Sequence, residues 1–176
     1  MPRQFLMGAL YALLALLAPT LYGMGAIAQA LPPNAVLDFE FCGLERNCYV
    51  FLQTLSPTQR DWMMASLGLD YLLMALYAPL GWVLLRLLEP ALPVRWRRAT
   101  RVLAWAMWLA GLADAMENAL LIQVLAAGAD RGLAWPAGLC AAIKFALLAI
   151  GLLWWLGFGA AALWRCWRQR PLSTTA

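Results

Sequence analysis

Histidine is absent from all 176 residues. That one absence removes the usual haem, zinc and imidazole acid–base sites, and with them the HExxH and Ser-His patterns. Lysine is almost absent as well, with Lys144 alone against twelve arginines. Neither a phosphate-binding G-x-x-x-x-G-K nor a dinucleotide-binding G-x-G-x-x-G occurs, and Gly157-Phe158-Gly159 reads as a flexible packing point. No C-x-x-C pair occurs among Cys42, Cys48, Cys140 and Cys166. No internal repeat, low-complexity tract or interdomain linker interrupts the chain. No catalytic residue, metal site or cofactor is therefore expected, and the balance leans against an enzyme.

What remains is overwhelmingly apolar. Hydrophobic residues make up 64% and charged residues 12%, with a mean hydropathy of +0.70, far from the profile of a soluble domain. The net charge is +4, but the cations form short clusters beside apolar runs, which is a membrane orientation signal and argues against nucleic acid as a partner. We expect an all-α membrane protein: a single domain over 1–176, built as a four-helix transmembrane bundle with a short interfacial helical segment between spans one and two.

Four stretches are long enough to cross about 30 Å of hydrocarbon, at about 5–30, 62–88, 102–127 and 135–164. A cleaved signal peptide is the rival reading of the first, since Ala28-Gln29-Ala30 has the A-x-A form and Arg3 would be its basic region. Its uncharged run of about 25 residues nevertheless exceeds the roughly 7–15 of a signal-peptide core, so a retained span is expected. Along it Gly8, Ala12, Ala15, Pro19 and Ala26 fall near one line, the expected packing face. Residues 31–61 form the one sizeable polar segment. Pro32-Pro33-Asn34 is a stop, the second half looks helical with Leu44, Val50 or Phe51, and Leu55 as an apolar stripe, and Ser56-Pro57-Thr58 is a break and a new helix start.

Counting arginines orients the chain. Arg3, Arg86, Arg95, Arg97, Arg98, Arg101, Arg165, Arg168 and Arg170 fall on one side, and Arg46, Arg60 and Arg131 on the other. The positive-inside rule then predicts cytoplasmic termini, with Tyr49, Trp62 and Trp135 at the outer interface and Trp96, Trp164 and Trp167 at the inner one.

Against this background G-L-A-D-A-M-E-N-A-L-L at 111–121 is the stretch to explain. Asp114 and Asn118 are i, i+4, and Asp114 and Glu117 are i, i+3, so all three share one helix side with Gly111 and Ala115. At 1.5 Å per residue Asp70 lies roughly 12 Å below Trp62, Lys144 roughly 13 Å below Trp135, and Glu117 roughly 15 Å from the end of span three. Ser66, Asp70, Tyr77 and Gly81 share a stripe on span two, as do Ala137, Ala141, Lys144 and Gly151 on span four. Charged groups in hydrocarbon must face protein or trapped water, so the candidate site is Asp70, Asp114, Glu117, Asn118 and Lys144, with Tyr77 beside them. Three carboxylates facing one ammonium require bound protons, or else a cation or solvent to fill the gap. Lys144 within the set opposes a carboxylate site for a hard metal ion.

Cys42 and Cys48 both lie in the outer segment, where a helix turn brings them within bridging range, and a structural disulfide is expected. A thiol-oxidising enzyme is the sharper alternative, opposed by the C-x5-C spacing and the lack of a second outer pair.

The stretches F-E-F-C-G at 39–43, L-D-Y-L-L-M-A-L-Y at 69–77, A-G-L-A-D-A-M-E-N-A-L-L at 110–121 and A-I-K-F-A-L-L at 142–148 resemble a family of small uncharacterised bacterial four-span membrane proteins. The resemblance covers roughly 39–155, with D-x-x-E-N in span three and a lysine in span four as its marks. It implies a bacterial plasma-membrane setting and makes Asp70, Asp114, Glu117, Asn118 and Lys144 the family's polar positions, without an activity. The expected function is binding of a small polar ligand or lipid headgroup through the Lys144 cluster, with the lipid bilayer as the surrounding partner. The alternatives are proton or ion translocation, a membrane-embedded enzyme, and a purely structural network.

Overall fold

Prolines and capping residues set the element boundaries in a computed structural model, which describes residues 2–45, 47–127 and 131–168, without the side chains of 131 and 162–168. Arg46, Arg131, Arg165, Arg168 and Arg170 of the arginine count lie outside the described residues or side chains, as do Cys166, Trp164 and Trp167. Among the described residues there are six helices, one 3-10 turn and no strand, with 93% of the structure helical. Helix α1 spans Arg3–Gln29, α2 Ala35–Glu45, α3 Cys48–Thr54, α4 Pro57–Leu88, α5 Val94–Ala127 and α6 Arg131–Arg168. The 3-10 turn, Glu89–Ala91, joins α4 to α5.

The start of α4 follows local chemistry. Ser56 accepts a hydrogen bond from the Gln59 amide at 3.2 Å, and the Gln59 side chain accepts one from the Ser56 amide at 2.9 Å, a reciprocal capping box with Pro57 in the first turn. Between α1 and α2 the chain turns through Asn34, whose φ of 61° is a left-handed conformation that asparagine tolerates.

Four helices, α1, α4, α5 and α6, are long and apolar enough to cross a membrane, which is compatible with an integral membrane protein. In space α1 packs on α4, α4 on α5 and α5 on α6, while α4 and α6 touch only sparsely. Helix α2 does not follow this row. Its Gly43 meets Ala134, Leu44 meets Gly138, Glu40 meets Lys144 and Phe41 stacks on Phe145, so the later residues of α2 meet the earlier residues of α6. The two therefore run antiparallel, with Glu40 and Phe41 reaching as far along α6 as Lys144 and Phe145. A Cβ built on Gly43 would overlap the carbonyl of Ala134, so this approach requires glycine.

The end of the molecule that holds α2 and α3, here the disulfide end, contains the larger apolar core. Phe39, Cys42, Cys48, Leu52, Leu55, Met63, Leu121, Val124 and Ala137 are buried there together. At the opposite, arginine end the cluster is confined to Leu85, Ala104 and Met107 with aromatic neighbours.

Two expectations on packing faces are corrected. Gly8, Ala12, Ala15, Pro19 and Ala26 are all exposed, and α1 instead buries Leu6 and Thr20, with Leu13, Leu17 and Ile27 half-buried along the same side. Leucines here supply the contact area against α4 that close backbone approach would otherwise supply. In the polar segment Leu55 is buried and Phe51 stacks half-buried on Phe39, whereas Val50 is exposed and Leu44, partly exposed, rests its side chain on Gly138; Cys48 and Leu52 complete the buried face, because α2 ends at Glu45 and a new helix starts at Cys48.

Candidate functional site: a carboxyl cluster around Lys144

Helix α5 supplies the middle of the site. Asp114, Glu117 and Asn118 are at most 1% exposed, so the i, i+3, i+4 pattern does place its polar edge inside the protein. Gly111, one turn earlier, sets the spacing: a Cβ there would stand 3.0 Å from the Cβ of Ala78, so α4 and α5 come close together. That approach puts Asp70 and Tyr77 of α4 within reach of α5. Asn118 Nδ2 donates to Asp70 Oδ2 at 2.8 Å, and the Tyr77 hydroxyl donates to Asp114 Oδ2 at 2.7 Å. Asp70 lies close enough to Asp114 for the two carboxyls to interact.

Lys144 arrives from α6 and is 4% exposed. Its Nζ donates to Asp114 Oδ1 at 2.9 Å and to Glu40 Oε1 at 3.3 Å, and stands 2.9 Å from Glu117 Oε2. The Glu117 approach is an ion pair without hydrogen-bond alignment, since neither oxygen of that carboxyl has a hydrogen-bond donor from the protein. Phe145 lies beside the ammonium with its ring centroid at 4.8 Å, and Phe41 stacks on Phe145, closing this side with aromatic surface.

All six residues expected at the site from the sequence, Asp70, Tyr77, Asp114, Glu117, Asn118 and Lys144, are thus brought into one connected assembly. Glu40 joins it unexpectedly. The available signal was an acid between two phenylalanines, Phe39-Glu40-Phe41, in a segment otherwise readable as surface. It is buried with its carboxyl against Lys144. Burial pushes the Glu40 carboxyl up to about 7; Lys144 opposes the shift, and Asp70 and Asp114 reinforce it.

Four carboxyls now surround one ammonium. If all were ionised the group would carry a charge of −3, four negatives and one positive. Lys144 already stands where Glu40, Asp114 and Glu117 converge, so it occupies the position a hard cation would take. The spare capacity is on the acceptor side. Glu40 Oε2, both oxygens of Glu117 and Asn118 Oδ1 are buried with no hydrogen-bond donor from the protein. An unmet buried acceptor costs about 1–3 kcal/mol, so four in one cluster favour anything that brings donors.

A disulfide braces α2 close to the site in sequence. Cys42 and Cys48 are bonded, with their Cα atoms 4.7 Å apart, and tie the end of α2 to the start of α3 two residues after Glu40. Among the described residues Cys140 is the free cysteine, on α6 one turn before Lys144. Below the cluster, toward the arginine end, a cavity of about 230 Å³ lies between α4 and α6 with Met107 as its floor. Tyr77 lines it, and its other walls are apolar, among them Gly81, Leu85, Leu148 and Gly151. No family model, curated protein or solved structure matches this chain.

Proposed function

We propose that this is a bacterial plasma-membrane protein, with both termini cytoplasmic and the disulfide end outside, that binds a small donor-bearing polar ligand at the Lys144 cluster. An amine-bearing lipid headgroup is the form of ligand most available at that depth. The resemblance of 39–155 to bacterial four-span proteins and the division of arginines, nine against three, support the setting. The carrying observation for the ligand is the surplus of acceptors: Glu40 Oε2, both Glu117 oxygens and Asn118 Oδ1 lack hydrogen-bond donors, while Lys144 already faces three carboxyls. A phosphate or carboxylate ligand would meet four carboxyls and an ammonium already held by three of them. A protonated amine or hydroxyl group would supply what the cluster lacks.

Thermal unfolding of the purified chain in detergent with ethanolamine, and native mass spectrometry of the chain as extracted, test this reading. Stabilisation by ethanolamine that is lost in Glu117→Gln supports it. No shift with amines and no co-purified molecule would reduce the cluster to a structural network.

Proton translocation is the second reading, favoured by Glu40, which lies outside the long apolar helices and titrates near neutrality. The apolar cavity below Tyr77 argues against it, because a proton path needs polar groups through the arginine-end half. Equal proton flux in liposomes for wild type and Asp114→Asn would exclude it.

A further inference from the structure

The arginine end carries a second charged assembly, distinct from Lys144. Glu89, buried in the 3-10 turn, accepts from Arg86 Nη1 at 2.5 Å on Oε2 and from Arg101 Nη2 at 2.6 Å on Oε1. Both of its oxygens are thereby engaged within the protein. Arg97 is held in another way: Nε donates to the Leu92 carbonyl at 3.0 Å and Nη2 to the Pro90 carbonyl at 3.2 Å. Those bonds fix the guanidinium without neutralising it, since a backbone carbonyl has no net charge. Arg3, at the start of α1, makes no ion pair with a carboxylate among the described residues.

Arg3, Arg86 and Arg97, with Glu89, line one cavity of about 550 Å³ that is walled on its apolar side by Leu6 and Leu87. Three guanidinium groups against one carboxylate give the lining a net charge of +2, and Arg101, outside the cavity, adds another positive charge through its hold on Glu89. The volume falls within the range of about 300–1,000 Å³ typical of ligand sites, which is more than a single ion needs. The cavity lies between the first turn of α1 and the turn joining α4 to α5, the level at which the long apolar helices end. Cationic forks beside leucine walls at that level match a molecule that carries a phosphate at one end and acyl chains at the other.

We infer that this cavity binds the phosphate headgroup of an anionic phospholipid, with Arg3 and Arg97 making the main contacts and the Glu89-braced Arg86 completing the rim. Free phosphate shares the charge but has nothing to set against Leu6 and Leu87. The site is independent of the Lys144 cluster, and the two call for ligands of opposite charge.

The test presents the whole chain in detergent with phosphatidylglycerol and phosphatidylcholine of matched acyl chains and reads retention by native mass spectrometry. Phosphatidylglycerol is expected to be retained preferentially. The double variant Arg3→Gln/Arg97→Gln is expected to lower that preference roughly tenfold, whereas Arg95→Gln/Arg98→Gln, which removes the same charge from exposed positions outside the cavity, changes it less than roughly twofold. Arg97→Lys, which keeps the charge and loses the fork, falls between them and serves as the readout should the double variant unfold. Equal retention of the two lipids by wild type, or equal losses in both double variants, would overturn the site in favour of general surface charge. Displacement of phosphatidylglycerol by equimolar inorganic phosphate would overturn the lipid as its occupant.

Discussion

The two ends of the molecule handle charge in opposite ways. At the disulfide end, acids and one lysine point inward, covered by α2, α3 and a broad apolar core. At the arginine end, Arg95, Arg97, Arg98 and Arg101 stay exposed, Glu89 is the one buried charge among the described residues, and the space between α4 and α6 is an apolar cavity. Where the extra packing layer α2 is present, a whole group of charges is buried; without it, the one buried acid, Glu89, is held between arginines at the helix ends. Where α2 reaches, four carboxyls can gather around Lys144; where it does not, the helices keep charge at their ends and hydrocarbon-like surface between them.

The strongest way to break this contrast is to remove the ammonium. Lys144→Met leaves Glu40, Asp114 and Glu117 without a counter-charge and is expected to cost about 3–5 kcal/mol of stability, read as a lowered unfolding temperature in detergent. The same change at an arginine-end cation such as Arg98, exposed and without an ion pair among the described residues, is expected to cost under about 0.5 kcal/mol.

The pH dependence of the disulfide end comes next. The Glu40 carboxyl is raised from an ordinary 4.5 to about 7, so between those values the folded state holds a proton that the unfolded state has released. This contribution is full below pH 4.5 and is lost as pH rises through 7. The stability difference between wild type and Glu40→Gln is expected to drift by on the order of 3 kcal/mol across that window, measured by unfolding at fixed pH values.

Gly43→Ala sharpens the role of α2 itself. The added methyl meets the Ala134 carbonyl, a backbone atom that cannot rotate aside, and lifts α2 from α6 at a cost of about 1–3 kcal/mol. Proteolysis within 30–56 should accelerate in this variant, and an unchanged cleavage rate would mean that α2 is not seated on α6. The smallest effect is expected on α1, where Gly8 meets open space: Gly8→Leu should alter stability by less than about 0.5 kcal/mol in the same unfolding assay.

Much of this arrangement was legible in the string. Apolar length announced the four long helices, Ser56-Pro57 announced the start of α4, and the spacing of Asp114, Glu117 and Asn118 announced an inward polar edge that needed Lys144. Glu40 was not legible, because its depth depends on α2 folding back against α6, a contact between residues 104 positions apart. The packing side of α1 was misread for a related reason: small residues permit close approach, but only the partner decides whether it is used, and α4 is met by Leu6, Leu13 and Thr20.

Because Lys144 is the only lysine in the chain, its burial among carboxyls can be measured with an amine-acylating reagent and peptide mass spectrometry. Acylation of the folded chain in detergent is expected to leave Lys144 unmodified until denaturant unfolds the protein, and to become measurable in Glu40→Gln or in Cys42→Ser/Cys48→Ser, where α2 is loosened. Rapid modification of Lys144 in the folded wild-type chain would contradict the account, since an ammonium held by Glu40, Asp114 and Glu117 has no exposed face to react.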